Sequence, residues 1–454
     1  MTSQPDTITI PIIGASIAGL TTAHSLLSHF TTTNNTTTNN TTTNKGKGTK
    51  IKILLINPHP SFYWAIAAPR ILTKPTAFTE SQYLIPIADG FAKYSPDVFE
   101  FILGRATSLD FDKKLLNVEE VTTDTESNKK TLREIKYDYL VIASGSTPSA
   151  SSTEPLFPGE DGKNGEIYPF KLSPTSTTTI TEAIKSAQTT ISTAKRITVI
   201  GAGPIGVEIA GELGDLITTP SSSSSSSSSE GEEEDKKEKK KEITLISSTP
   251  RILPTLKPSA SETATSLLTN KGVRVLTDRK VISVSSKEEE GGGYELKLNN
   301  GDTLETDIYI PTIGVLPNSS YIPREVLDER GWVRVDSELK VSGVEGVYAA
   351  GDITTHTQKL SFKADEMTGM VVGNLVDDIG NIHGVGKGGK GRGWWRCGGG
   401  RKTYDEGNDV MMVVPVGSSG GTGQAFGWVL VSFMVWLAKG RDYFIWKAKG
   451  YVFK

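Results

Sequence analysis

A chain of 454 residues with a formal net charge of −3 has room for two or three domains, and its balanced charge excludes recruitment of nucleic acid by a global basic field. Its one cysteine, Cys397, excludes an internal disulfide framework and a Cys-x-x-Cys redox pair, so a reduced, cytosol-facing compartment is expected. No metal-ligating pattern stands out.

The N-terminus lacks a basic stretch ahead of its apolar run, and that run leads into a glycine turn. A strand is expected there, with no signal peptide, and Thr2 excludes N-myristoylation. Thr7 to Ile13 reads as a buried strand ending at Gly14-Ala15-Ser16-Ile17-Ala18-Gly19, after which Leu20 to Phe30 is helical. This is the glycine fingerprint of a dinucleotide turn with serine at its second glycine position, where a small side chain and a backbone N–H remain available to a phosphate. Thr31 to Lys50 is a Thr/Asn tract without periodicity, expected as a disordered insertion. Ile51 to Ile56 resumes as a strand and ends at Asn57, where dinucleotide folds usually place an acid for the ribose hydroxyls. Asparagine can bond a hydroxyl but lacks the charge that disfavours a 2′-phosphate. Phe62 to Arg70, FYWAIAAPR, is too aromatic for an ordinary linker and reads either as a buried loop or as a ligand lining.

Phe99 to Val118 alternates like paired strands, and Tyr137 to Gly145 is a strand entering a small-residue turn. Phe157 to Gly162 reads as a linker. Arg196 to Glu212, RITVIGAGPIGVEIAGE, supplies a second strand, turn and helix start, with Gly201, Gly203 and Gly206 in the spacing that admits a tight turn, a close pyrophosphate and a closely packed helix. Serines 221–229 and the charge run 230–242 read as a solvated insertion, with specific protein binding as the lesser alternative. Ile243 to Ile246 ends in Ser247-Ser248 with Arg251 nearby. With no carboxylate at that point, NADH and NADPH both stay open. Thr303 to Thr312 is a closing strand, and Val333 to Thr354 delivers Gly351-Asp352 at a strand end. Residues 384–400 are a Gly/Lys-rich interruption containing Trp394, Trp395 and Cys397. Val410 to Val416 reads as a strand and Gly417 to Gly423 as a turn. Ala425 to Ala438 is an unbroken, mostly apolar segment. Its 14 residues fall short of the roughly 20 that span a bilayer, so no transmembrane helix is expected, and the segment is either buried against protein or interfacial on a membrane.

Two glycine fingerprints, the Ala143-Ser144-Gly145 turn and the late Gly351-Asp352 stand in the order found in two-dinucleotide flavoproteins. The chain resembles the pyridine nucleotide-disulfide oxidoreductase fold and, within it, the fungal branch of the apoptosis-inducing factor 2 (ferroptosis suppressor) type. The closer likeness rests on FYWAIAAPR, on IPIADGFAKY at Ile85 to Tyr94, and on the tail from Gly420 to Phe444. The resemblance implies an α/β fold of two Rossmann-like domains. An FAD domain (1–162 and 316–380) is interrupted by an NAD(P)H domain (163–315) and followed by a C-terminal region (381–454). It implies that Gly14, Ala15, Ser16, Ile17, Ala18 and Gly19 hold the FAD pyrophosphate, with Asn57, Arg70, Thr107, Gly145, Gly351 and Asp352 also on FAD. Gly201, Gly203 and Gly206 would take NAD(P)H. Glu208 would lie near the nicotinamide, and Lys439 and Phe444 near the flavin and the acceptor. Each has a plain structural alternative: Asp352 as a helix cap, Glu208 as a first-turn acid, and Lys439 as a charge at a helix C-terminus.

The resulting expectation is an oxidoreductase passing electrons from NAD(P)H through FAD to an acceptor, with a quinone preferred because of the apolar tail. A type II NADH dehydrogenase-like respiratory enzyme and a low-turnover flavin sensor are the alternatives. Without paired cysteines, thiol chemistry is not expected. Partners would be the nucleotide, a quinone-like acceptor, a membrane surface or a second copy of the chain through the tail, and no nucleic acid. The expected location is cytoplasmic, with peripheral membrane contact as an option.

Overall fold

Glycine turns after two β-branched runs set the architecture, because each run forms a buried parallel strand and each turn releases a helix back along it. The computed structural model describes residues 7–37, 50–121, 130–149, 156–158, 170–171, 179–218, 241–287, 292–356, 358–383 and 401–454. The serine run, the charge run up to residue 240, the Gly/Lys-rich interruption with Trp394, Trp395 and Cys397, the boundary at 162/163 and most of the linker Phe157 to Gly162 lie outside the described residues.

The larger sheet has seven strands in the spatial order Val347–Ala349, Leu140–Ile142, Thr7–Ile13, Lys50–Asn57, Phe99–Asp110, Leu115–Val121 and Lys130–Lys136. The first five run parallel and the last two return antiparallel. Thr7–Ile13 is central, and its near-continuous apolar sequence is what a parallel strand covered on both faces requires. Ile10, Ile12, Leu55, Val141 and Tyr348 are fully buried across this sheet. The helix Ile17–Thr37 follows the first strand and packs against the long helix Ser361–His383. It continues through Thr37, well into the Thr/Asn tract expected to be disordered from Thr31. Threonine is a weak helix former, but the preceding turns are already packed, so propagation costs little once the helix has been nucleated.

A second, smaller parallel sheet runs Arg274–Leu276, Glu242–Ile246, Arg196–Ile200, Ile308–Pro311. Its helix Pro204–Thr218 starts after the second glycine turn. The expected strand Thr303 to Thr312 is two strands. Thr303–Thr306 joins an antiparallel sheet with Val281–Ser286 and Tyr294–Leu298, and Ile308–Pro311 joins the parallel sheet. The chain leaves the large sheet through Ser146–Pro148 and returns through Val315–Pro317, and these two short strands pair with each other.

The tail differs from expectation in detail. Gly421–Ala425, expected as part of a turn, is the central strand of a three-stranded sheet with Met412–Pro415 and Trp428–Val429. The apolar segment from Ala425 to Ala438 is broken into a hairpin turn at Phe426-Gly427, a short helix Ser432–Val435 and a wide turn Trp436–Gly440. Positive φ at Phe426 and Gly427 turns the chain, so hydropathy alone could not reveal the break.

Candidate functional site

The first glycine turn is built by steric demand. Gly14 has φ +103°, and a Cβ there would lie 2.3 Å from the Ala143 carbonyl oxygen; a Cβ on Gly19 would lie 1.7 Å from the Gly14 carbonyl oxygen. Both glycines are therefore required by close backbone approach. The same contacts place the Ala143-Ser144-Gly145 turn beside Gly14, while a Cβ on Gly351 would meet Ala18 Cβ at 3.3 Å. Gly14, Ala18, Gly145, Gly351 and Asp352 thus converge at the carboxyl ends of the parallel strands, where open α/β sheets bind ligands. Gly145, at φ +67°, faces open space. Ala15 is buried, and Ser16 is exposed at the start of the helix that begins at Ile17.

Asn57 braces this turn. Its Oδ1 accepts from the Ala15 N–H (2.9 Å) and its Nδ2 donates to the His59 carbonyl (2.7 Å). Asp352 is held by Lys171 Nζ at 2.6 Å and the Ser146 hydroxyl at 2.8 Å. Burial pushes its carboxyl up, but these donors outweigh it and hold the group below the usual carboxylate range. Lys359, half-buried over the Trp332 ring at 3.9 Å and donating to the Thr354 carbonyl, is pushed down to about 8 by its partial loss of water. Thr107 sits at a bulge in Phe99–Asp110, with its hydroxyl donating to the Asn117 carbonyl (3.2 Å).

The second turn repeats the logic with one informative difference. Gly201 has φ +109° and lies against Thr312, and a Cβ on Gly206 would fall 1.9 Å from the Gly201 carbonyl oxygen. Around Gly203 a Cβ would meet nothing within 4 Å. Two glycines are therefore demanded by the protein's own backbone, and the middle one leaves room for a ligand. Arg251, near the end of Glu242–Ile246, donates to the Pro254 carbonyl (2.9 Å).

The helix after this turn carries Glu208, Glu212 and Asp215, at a spacing that puts three carboxylates on one face, and all three are buried. Lys439 Nζ meets Glu208 Oε1 at 2.6 Å. Burial raises the proton affinity of Glu208, with Lys439 opposing it. Arg70 forks onto Glu212 with Nη2 at 2.8 Å and Nε at 3.1 Å, and its Nη1 donates to the Arg441 carbonyl. Lys74 bridges Glu212 (2.7 Å) and Asp215 (2.5 Å), and Lys271 closes on Asp215 at 2.5 Å. Tyr443, fully buried, donates to Glu212 at 3.1 Å under the Arg70 guanidinium, and Trp64 Nε1 donates to the Tyr443 carbonyl. Tyr443 and Phe444 both have left-handed backbones, at φ 51° and 54°, and Phe444 stands 4.8 Å from Lys447 Nζ. The aromatic segment from Phe62 to Arg70 is mostly core, with Phe62, Trp64 and Arg70 buried, although the buried Tyr63 hydroxyl has no hydrogen-bond partner among the described residues.

The predicted residues therefore fall into two groups. Gly14 to Gly19, Asn57, Gly145, Gly351 and Asp352 gather at one turn. Gly201, Gly203 and Gly206 form the other, Glu208 on its helix meets Lys439 of the tail, Phe444 stays in the tail beside Lys447, and Arg70 reaches across to the same helix. Glu212, Asp215, Lys74, Lys271 and Tyr443 were missed, and only the Glu208-Glu212-Asp215 spacing was available as a signal. Among the described residues no cluster of His, Cys, Asp or Glu is arranged to hold a metal.

The family model for pyridine nucleotide-disulphide oxidoreductases matches residues 8–369. The chain is 33% identical over 428 residues to oxidoreductase ptaL of Pestalotiopsis fici, an alignment covering 94% of each chain. It is 25% identical to ferroptosis suppressor protein 1 of Xenopus laevis, covering 99% of this chain and 97% of that protein. The fold is similar to that of a water-forming NADH oxidase from Lactobacillus brevis solved with NADH bound, with a TM-score of 0.59 and 19% identity over 81% of this chain and 69% of that one. With two dinucleotide turns, a Gly-Asp at the strand ends and a family match across most of its length, the chain belongs to the pyridine nucleotide-disulphide oxidoreductase family of FAD-dependent NAD(P)H oxidoreductases.

Proposed function

We propose that the protein takes hydride from NAD(P)H and passes the electrons through FAD to a quinone-like acceptor. In this reading, residues 1–162 and 316–380 form the FAD domain, 163–315 the NAD(P)H domain and 381–454 the C-terminal region. FAD supplies the two-electron redox chemistry when bound, and the protein aligns the reactants and excludes water. Gly14 to Gly19 would bring backbone N–H groups to the FAD pyrophosphate at a helix N-terminus, with Gly145, Gly351 and Asp352 along its length. Asn57, Arg70 and Thr107 belong to the same set. Asn57 supports the FAD site by bracing its glycine turn, while Arg70 is engaged by Glu212 on the helix of the second turn. Gly201, Gly203 and Gly206 would receive NAD(P)H, with Gly203 leaving the open approach.

The observation that carries this reading is the buried Glu208–Lys439 pair. It joins the helix behind the nucleotide turn to the tail, and places the Lys439 amine, donating to Glu208 at 2.6 Å, as the candidate proton donor to a reduced acceptor. In this reading Lys439 faces the acceptor, Glu208 sets its position, and Phe444 belongs to the same tail site. The apolar tail favours a lipophilic acceptor, and the single cysteine of the chain favours thiol-free transfer. Peripheral membrane contact through the tail belongs to the same reading.

Purified protein should show flavin absorption that bleaches anaerobically with NADH or NADPH and returns on adding a short-chain quinone. Lys439→Met should slow the quinone step by about 100-fold while leaving nucleotide reduction nearly unchanged. Absence of flavin absorption, or no bleaching with either nucleotide, refutes the proposal.

A further inference from the structure

Both glycine turns are joined to the second strand of their sheet in the same way. The Gly14 N–H donates to the Ile56 carbonyl (2.8 Å) and the Gly201 N–H to the Ile246 carbonyl (2.9 Å), so Ser247 holds the place in the second turn that Asn57 holds in the first. In a dinucleotide fold that place faces the adenine ribose, where an acid accepts from the ribose hydroxyls and repels a 2′-phosphate. Ser247 brings no charge there: it is buried, and its hydroxyl meets the Thr249 hydroxyl at 2.9 Å. Ser248 beside it is exposed, and the stretch from Ser247 to Lys257 contains no Asp or Glu.

Two arginines stand on the loops that meet at this strand end. Arg251 lies in the stretch from Ser247 to Leu253, which folds back on the glycine turn through the Leu253 N–H donating to the Ala202 carbonyl (2.8 Å). Arg279 follows the neighbouring strand Arg274–Leu276, and the two loops are laced together by backbone bonds. The Ser247 N–H donates to the Leu276 carbonyl (2.7 Å), the Arg279 N–H to the Ser247 carbonyl (2.9 Å) and the Asp278 N–H to the Thr249 carbonyl (3.1 Å). Arg70 and Arg196 are neutralised by carboxylates, but these two half-buried guanidiniums bond only backbone carbonyls among the described residues, Arg251 that of Pro254 and Arg279 that of Asp278. The Asp278 carboxylate, the single acid of the two loops, is exposed and pairs with neither arginine among the described residues. A guanidinium with N–H groups to spare is the side chain best matched to a phosphate, and no fixed negative charge opposes one here. Building on the NAD(P)H reading of the second turn, we propose that the protein selects NADPH over NADH, with Arg251 and Arg279 holding the 2′-phosphate beside Ser247 and Ser248.

The test is calorimetric titration of the full-length flavoprotein with adenosine 2′,5′-bisphosphate and with adenosine 5′-monophosphate, which differ only in the 2′-phosphate and carry no hydride. The wild type should bind the bisphosphate about tenfold or more tightly than the monophosphate, and added salt should shrink that advantage. Arg251→Gln combined with Arg279→Gln should bring the ratio of the two affinities to within about twofold of one. Circular dichroism should show the double variant folded, since each guanidinium bonds only a carbonyl of its own loop. Ser248→Glu, a change at an exposed position, gives an independent check and should turn the preference towards the monophosphate. Equal affinity of the wild type for the two probes, or a double variant that keeps the full advantage, overturns the proposal. Flavin bleaching that half-saturates at the same concentration of NADH and NADPH overturns it too, while leaving the electron-transfer reading intact. A protein that prefers the bisphosphate but is bleached by neither nucleotide supports the 2′-phosphate site and refutes electron transfer.

Discussion

His24 shows how one buried side chain couples stability to pH. It is 3% exposed, stacks on Phe91 at 4.1 Å, and its Nε2 bonds the Val452 carbonyl at 2.8 Å, which ties the first helix to the C-terminus. Burial lowers its pKa from 6.5 to about 4, against the raising effect of the Val452 carbonyl. The folded chain therefore holds His24 neutral while the unfolded chain protonates it. Its stabilisation is complete above pH 6.5 and is lost as pH falls towards 4. A loss of about 2 kcal/mol between pH 7.5 and 5 is expected from this group. Urea unfolding should show that extra loss in the wild type relative to His24→Gln, and parallel pH slopes for the two proteins would disprove it.

At the scale of the element, the second glycine turn separates folding from binding. Gly206→Ala would press a Cβ into the Gly201 carbonyl and the Thr312 hydroxyl, at 1.9 and 2.7 Å. Destabilisation beyond about 3 kcal/mol, or loss of folded protein, is expected. Gly203→Ala meets no neighbour within 4 Å. Its unfolding free energy should stay within about 0.5 kcal/mol of wild type. Nucleotide affinity should still fall tenfold or more, about 1.4 kcal/mol. Equal affinity for NAD(P)H in calorimetry would remove Gly203 from the binding site.

At the scale of the whole molecule, one charge network joins four distant stretches, with Lys271 on Asp215 as the fourth. Arg70 and Lys74 come from the helix and loop beside the large sheet, Glu208, Glu212 and Asp215 from the helix of the second sheet, and Lys439 and Tyr443 from the tail. Burial lowers the proton affinity of Arg70, but the paired Glu212 outweighs it and raises it overall. Removing one partner strands the other in the interior, so Arg70→Met and Glu212→Leu alone should each cost about 3–5 kcal/mol. The double variant should recover much of that loss. Additive losses in denaturant titrations would show that the pair is not coupled.

Much of the fold was legible because its causes are local. A glycine with φ +103° or +109°, a helix that must approach the preceding turn, and an apolar strand covered on both faces each leave a mark within a few residues. The order of those marks carried the family. Even the pattern of three carboxylates on one helical face stood in the sequence, although what they faced did not. The broken tail was not legible, since Phe426 takes a left-handed turn that composition does not signal. By itself the sequence determined two dinucleotide turns, their strands and the order of the parts. Only the tertiary structure decided that Arg70 meets Glu212 across 142 positions and that Lys439 meets Glu208 across 231. It also decided which face of the tail stays bare. Burial makes such distant charges interact strongly, and burial is a property of the packed molecule that no local stretch contains.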